Sequence, residues 1–150
     1  MEKDYLSYRN YFPKDYEYVY MLKKNSYQKY VVEFWNVWEE KTQREFFLNY
    51  IRDRESFIKI ITYKGEDIGF LDEKEDNDSY EIVNICIEEK WQNKGIGTFI
   101  LNQRLKEHCN KLNKIQCFVS NPVKNLYEKF GFKEIERNRT HIKFEMKPKI

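Results

Sequence analysis

A short run, Gln92-Asn93-Lys94-Gly95-Ile96-Gly97-Thr98, joins a dense apolar stretch to a long amphipathic one, and this junction narrows the folds open to the chain. It reads as a strand, then a turn that only glycine permits, then the start of a helix. Glycine at 95 and 97 allows backbone angles closed to other residues and leaves room for a ligand to touch the main chain. The first amides of the following helix have no internal partner and lie at the positive end of the helix dipole, a place that suits a phosphate.

Three loop types share this outline. A nucleotide P-loop needs G-x-x-x-x-G-K-[ST], whereas here Lys94 precedes the glycines and nothing after them matches. A dinucleotide fingerprint wants a third glycine at position 100, where the chain has Ile100. What remains is Q-x-x-G-x-G. Downstream, at a distance that fits one helix and one strand, lies Asn121-Pro122-Val123-Lys124-Asn125-Leu126-Tyr127-Glu128-Lys129-Phe130-Gly131-Phe132. Together these resemble the acetyl-CoA pyrophosphate loop and the N-P-x-x-x-L-Y-E-K-x-G-F segment of the GNAT superfamily of N-acetyltransferases. The resemblance covers roughly residues 55 to 147; the first third of the chain, where acceptor choice usually resides, carries no motif.

The resemblance implies an α+β fold, an α/β/α sandwich. Its central sheet is mixed and mostly antiparallel, with a splayed parallel strand pair forming the acetyl-CoA cleft. A single domain over 1–150 is expected, with 1–54 on the acceptor side and 55–147 as the sheet and cofactor core. The chain's own patterning agrees. Residues 4 to 12 form an aromatic-rich strand stopped by Pro13, and Pro13 with Asp15 and Glu17 opens a helix. Helical patterning runs with breaks through Trp38, and a second helix over about 39 to 52 has Phe46, Phe47 and Ile51 as its apolar face.

From Phe57 to Tyr63 the period becomes that of a strand, Lys64 to Asp67 is a hairpin turn, and Ile68 begins the returning strand. The polar run Asp72 to Ser79 reads as a solvated connection, and Tyr80 to Glu88 as a strand apolar on both faces. After the glycine loop, Leu101, Leu105, Cys109 and Leu112 form one helical stripe. Lys114 to Ser120 is a strand, Pro122 opens a short helix that Gly131 closes, and two strands follow over 132–137 and 140–146.

Composition bounds the function. With 150 residues, 41% apolar and 35% charged, the chain is long enough for one globular core. A net charge of +2 gives no warrant for nucleic acid. No run approaches about 18 apolar residues, and no signal-like segment follows Met1, so the expectation is a cytoplasmic protein that does not engage a membrane. Three cysteines without a C-x-x-C pair disfavour a disulfide framework and a metal site; Cys86, Cys109 and Cys117 read as small buried hydrophobes.

Amide formation from a thioester requires a grip on the cofactor, a neutral amine, charge stabilisation at the carbonyl oxygen and a proton for the departing thiolate. The grip falls to Gln92, Asn93, Lys94, Gly95, Ile96, Gly97 and Thr98. By resemblance, Ile85, Cys86 and Ile87 offer main-chain groups to the pantetheine arm, and Tyr127 stands where the superfamily places its general acid. A phenol with a pKa near 10 is protonated at neutral pH and can supply a thiolate.

Asn121 and Asn125 are candidates to hydrogen-bond the pantetheine, with Asn121 equally readable as a plain N-cap. Glu81 aligns with the catalytic glutamate of histone-acetylating members, or is a charge at a strand's exposed end. Trp35, Trp38 and Glu40, beside Glu39 and Gln43, lie where the family builds its acceptor wall; the tryptophans read equally as core. His141 is a second titratable candidate, and His108 reads as surface.

Cys86 has no activating neighbour in the sequence and reads as packing, so direct transfer through a ternary complex is expected. The partners implied are acetyl-CoA, a small-molecule or peptide amine, and a second copy where sheet edges pair. A non-catalytic acyl-CoA-binding module with the same fold is the rival reading.

Overall fold

Eleven regular elements account for most of the chain in a computed structural model that describes residues 2–149. They are β1 (Leu6–Asn10), α1 (Tyr16–Trp35), α2 (Glu40–Arg54), β2 (Ile58–Tyr63), β3 (Glu66–Glu75), β4 (Ser79–Ile87), α3 (Ile96–Glu107), β5 (Leu112–Phe118), α4 (Val123–Phe130), β6 (Lys133–Arg137) and β7 (His141–Met146). The strands form one mixed sheet in the order β1-β2-β3-β4-β5-β7-β6. β1–β2, β2–β3, β5–β7 and β6–β7 run antiparallel, and β4–β5 is the parallel pair that the sequence led us to expect. No helix among the described residues is long and apolar enough to cross a membrane. The chain divides into two compact units, Met1–Asp72 with Asn84–Gly97, and Glu73–Val83 with Thr98–Ile150.

In the first unit, Pro13 ends the opening strand segment and starts a 3-10 turn that runs into α1. Asp15 holds this corner: it accepts from the Phe12 amide at 2.9 Å, and its carboxylate meets Arg9, which also binds Asp67 at 2.8 Å. Helix α1 stops at Asn36, whose left-handed backbone (φ 71°) lets its amide donate to the Val32 carbonyl at 2.8 Å. The core gathers Val19, Tyr20 and Leu22 of α1 with Phe47 and Ile51 of α2, against Ile58, Ile60, Phe70 and Cys86 of the strands.

The β2–β3 hairpin turns on Lys64 and Gly65, both left-handed (φ 50° and 81°), as a two-residue hairpin loop requires. Gly69 on β3 tolerates no side chain, since a Cβ there would lie 2.3 Å from the Cys86 carbonyl oxygen.

In the second unit, β4 meets β5 in parallel at Ser79↔Leu112, Tyr80↔Asn113 and Glu81↔Lys114. β5 pairs along its length with β7, and Ile115, Ile142, Phe144 and Met146 are buried. Gly131 (φ 107°) closes α4 as expected, with its amide on the Glu128 carbonyl and the Phe132 amide on that of Tyr127.

Four expectations fail. Phe46 is 63% exposed, because it lies about 100° around the helix from Phe47 and only Phe47 and Ile51 share the buried stripe. The solvated connection is shorter than Asp72 to Ser79: β3 extends to Glu75 and Asp72 is fully buried against Arg54, which leaves the exposed turn at 76–78. Helix α3 ends at Glu107, so Leu112 belongs to β5 and not to the helical stripe. Cys109 follows that helix and is exposed, unlike Cys86 and Cys117.

Candidate active site

The glycine loop belongs to the first unit and grows out of β4. Alternation along β4 buries Cys86 and leaves Ile85 and Ile87 half-buried on the other face. Burial raises the Cys86 thiol to about 11, and the side chain packs in the core, as expected. After Ile87 the chain is held twice: the Glu88 amide donates to the Ile68 carbonyl at 2.8 Å, and the Tyr18 hydroxyl of α1 donates to the Glu88 carboxylate at 2.8 Å.

A 3-10 turn over Glu89–Trp91 then leads to Gln92, whose Nε2 reaches back to the Ile87 carbonyl at 2.8 Å. The side chain expected to grip the cofactor therefore braces the loop onto its own strand. Asn93 (φ 62°) and Gly95 (φ 80°) are both left-handed and swing the main chain into α3 at Ile96. Ile96 is buried and anchors the helix start, while Gln92, Asn93, Lys94, Gly95 and Thr98 are exposed. A Cβ on Gly97 would meet nothing within 4 Å. The space over the first turn of α3 is thus open, and that turn's intrinsically unpaired amides and dipole favour an anion there.

Of the residues expected to form an acceptor wall in the same unit, Trp38 and Glu40 are tied to each other. Trp38 Nε1 donates to Glu40 Oε2 at 2.9 Å, Lys24 reaches the same oxygen at 2.9 Å, and Tyr20 and Arg44 reach Oε1 at 3.0 and 3.2 Å. Lys24 foremost, with these other donors, holds the Glu40 carboxyl down at about 2. It is a strut between α1 and α2 and a poor proton acceptor at neutral pH. Trp38 packs onto the core; Trp35 is half exposed at the end of α1, edge-on to Phe34.

Two features here escaped the sequence. Asn84 is buried in β4, receiving the Tyr27 hydroxyl and donating to the Tyr50 hydroxyl at 3.3 Å. Lys3 donates to the Lys94 carbonyl at 3.1 Å. Contacts spanning tens of residues between side chains of no motif leave no local signal.

In the second unit, Asn121 Oδ1 accepts from the Val123 amide at 3.0 Å, so the side chain opens α4 as the cap reading allows. Asn125 is exposed one turn on. The half-buried Tyr127 ring is wedged edge-on between Phe132 and Phe144, with ring centres 6.1 and 5.8 Å away. Glu81 is half-buried on β4, in register with Lys114 of β5.

His141 opens β7 with its Nδ1 2.8 Å from Thr140 Oγ1 and its ring 4.3 Å from Phe118; burial, then Lys143, lowers its pKa. Strand alternation sets His141 on the face opposite Phe144, so β7 does not bring it to Tyr127. His108 is not plain surface: it stacks on Tyr80 at 3.7 Å. No cluster of three or more metal-ligating side chains occurs among the described residues.

No curated protein sequence matches the chain. Among solved structures, the PaiA N-acetyltransferase of Thermoplasma acidophilum in complex with coenzyme A is 18% identical, with a TM-score of 0.68 over 95% of this chain and 98% of that one. An acetyltransferase from Thermus thermophilus is 16% identical, with a TM-score of 0.71 over 94% and 96%. Arabidopsis thaliana Naa50, in complex with the bisubstrate analogue CoA-Ac-MVNAL, is 16% identical, with a TM-score of 0.61 over 95% and 98%. These likenesses establish the fold. The family model for the GNAT acetyltransferase domain matches residues 53–134, more than half of the chain, from the end of α2 into β6 and across both motifs. The chain therefore belongs to the GNAT acetyltransferase family and is an acetyltransferase.

Proposed function

We propose that this chain, as one catalytic domain over residues 1–150, moves the acetyl group of acetyl-CoA to a primary amine by direct attack within a ternary complex. The observation that carries the reading is the junction at 92–97: two left-handed residues feed a helix start over which Gly97 leaves open space. A diphosphate there accepts from main-chain amides of residues 93–98, and its pantetheine arm runs along Ile85–Ile87. The amine nitrogen bonds to the thioester carbon, the carbon–sulfur bond breaks, and the departing thiolate takes the Tyr127 phenolic proton. The wedging of the Tyr127 ring supports this role, since an acid must be held in place to act. Glu81 is the base we favour for the amine proton, because the Glu40 carboxylate is already engaged.

The acceptor is a small-molecule or peptide amine; the peptide-like analogue bound by Naa50 supports keeping peptides in the set. We further read the protein as cytoplasmic, which suits three free cysteines. Calorimetry with coenzyme A, and acetyl-CoA turnover by the parent and its Tyr127→Phe variant, test the reading. Binding with a turnover that Tyr127→Phe slows supports it. Binding with no turnover in the parent, over a panel of amines, favours the non-catalytic acyl-CoA module. No binding removes both.

A further inference from the structure

We infer that Lys3, far from both motifs in sequence, is a phosphate-binding residue of the glycine loop, adding a side-chain charge to the main-chain amides there. The inference rests on the cofactor reading above. Lys3 Nζ donates to the Lys94 carbonyl at 3.1 Å and lies 3.8 Å from where a Cβ on Gly95 would stand. An ammonium has three donors, and a carbonyl occupies one of them. Among the described residues Lys3 forms no ion pair with a carboxylate, and its ammonium stands beside the loop that leads into a helix start that favours anions. The neighbouring Lys90, by contrast, is paired with Glu66 at 3.1 Å.

Lys3 is also placed by more than its own hydrogen bond. It opens a 3-10 turn that ends at Tyr5, whose carbonyl accepts from the Lys64 amide at 3.2 Å. The Tyr5 ring stands edge-on to Tyr63 at 5.9 Å, and Tyr63 packs on Trp91 at 5.3 Å, one residue before Gln92. A row of three aromatic rings in contact, edge-on and tilted, thus ties the N-terminal turn to the root of the loop. A lysine fixed in this way loses little freedom when a phosphate arrives, which favours binding.

The test is calorimetry on the full chain with coenzyme A and with 3′-dephospho-coenzyme A, using the parent, Lys3→Gln and Lys3→Arg. Glutamine keeps a donor for the Lys94 carbonyl and removes the charge. Lys3→Gln should bind coenzyme A about tenfold more weakly, as expected for loss of a charge-assisted contact, with recovery in Lys3→Arg. The gap should narrow at high salt. An equal loss with the dephospho ligand assigns the charge to the diphosphate, and a loss confined to coenzyme A assigns it to the 3′-phosphate. Equal affinities of Lys3→Gln and parent overturn the inference. So does a deficit that salt leaves unchanged, which would mean that Lys3 only shapes the loop. A parent that binds neither ligand sinks the cofactor reading instead.

Discussion

The glycine loop and the helices α1 and α2 share one unit yet are built in opposite ways. At the loop, left-handed residues at 93 and 95 turn the main chain into α3, and a Cβ on Gly97 would meet nothing within 4 Å. On α1 and α2, the polar side chains near Trp38 are turned on each other, with four donors gathered on Glu40. A backbone site is ready before its ligand arrives and needs glycine, so it marks the sequence. A side-chain scaffold made of ordinary lysine, glutamate and tyrosine leaves no mark, and its charges hold helices together before they can meet a substrate.

Several experiments break or sharpen that contrast. The largest effect is expected at Gly97→Leu, which puts bulk where nothing of the protein stands and improves helix propensity. Coenzyme A at 100 times its dissociation constant should stabilise the parent by about 2.7 kcal/mol and the variant not at all, with the apo Tm preserved. A full ligand-induced shift in the variant removes the loop from cofactor binding. Next comes Tyr127→Phe, expected to slow acetyl transfer about 10²-fold with coenzyme A affinity intact. Equal rates would strip Tyr127 of its acid role.

Smaller effects belong to the scaffold. Glu40→Gln should lower Tm by at most about 4 °C, because the Glu40 carboxylate is itself half exposed and its ion pairs are screened, and should leave the Kd for coenzyme A unchanged. A weakened Kd would show that the helices and the loop are not separable. The smallest effect is at His141, whose pKa burial holds below 6.5. The unfolded chain then takes up that proton first, so stability falls as pH drops from about 6.5 through the folded-state value, and levels off below it. His141→Asn should flatten this part of a Tm-against-pH curve; an unchanged slope would clear His141 of the effect.

The legibility of the chain follows the same division. Pro13, Lys64-Gly65 and Gly131 punctuate locally and were readable, as was the order of helices and strands they separate. The end of α3 was not: no glycine or proline lies between Glu107 and Leu112, and Leu112 continues the helical spacing by accident into β5. Asp72 misled for a different reason, since the Arg54 that lets a carboxylate be buried lies 18 residues earlier on another element. Within the candidate site, the glycine loop and the α4 tyrosine are marked by local motifs in the sequence. The engagement of Gln92 with Ile87, the saturation of Glu40 and the position of Lys3 depend on who stands next to whom after folding, which residue order alone does not state.

Gly69 carries a warning for any mutational scan of this enzyme. Its missing side chain lets one strand's backbone lie against the Cys86 carbonyl at a distance no alanine could respect. A methyl group there would displace the last residues of β4, and with them the root from which the loop departs. Such a variant would score as catalytically dead although position 69 meets no reactant, and its phenotype would report on architecture transmitted along a strand.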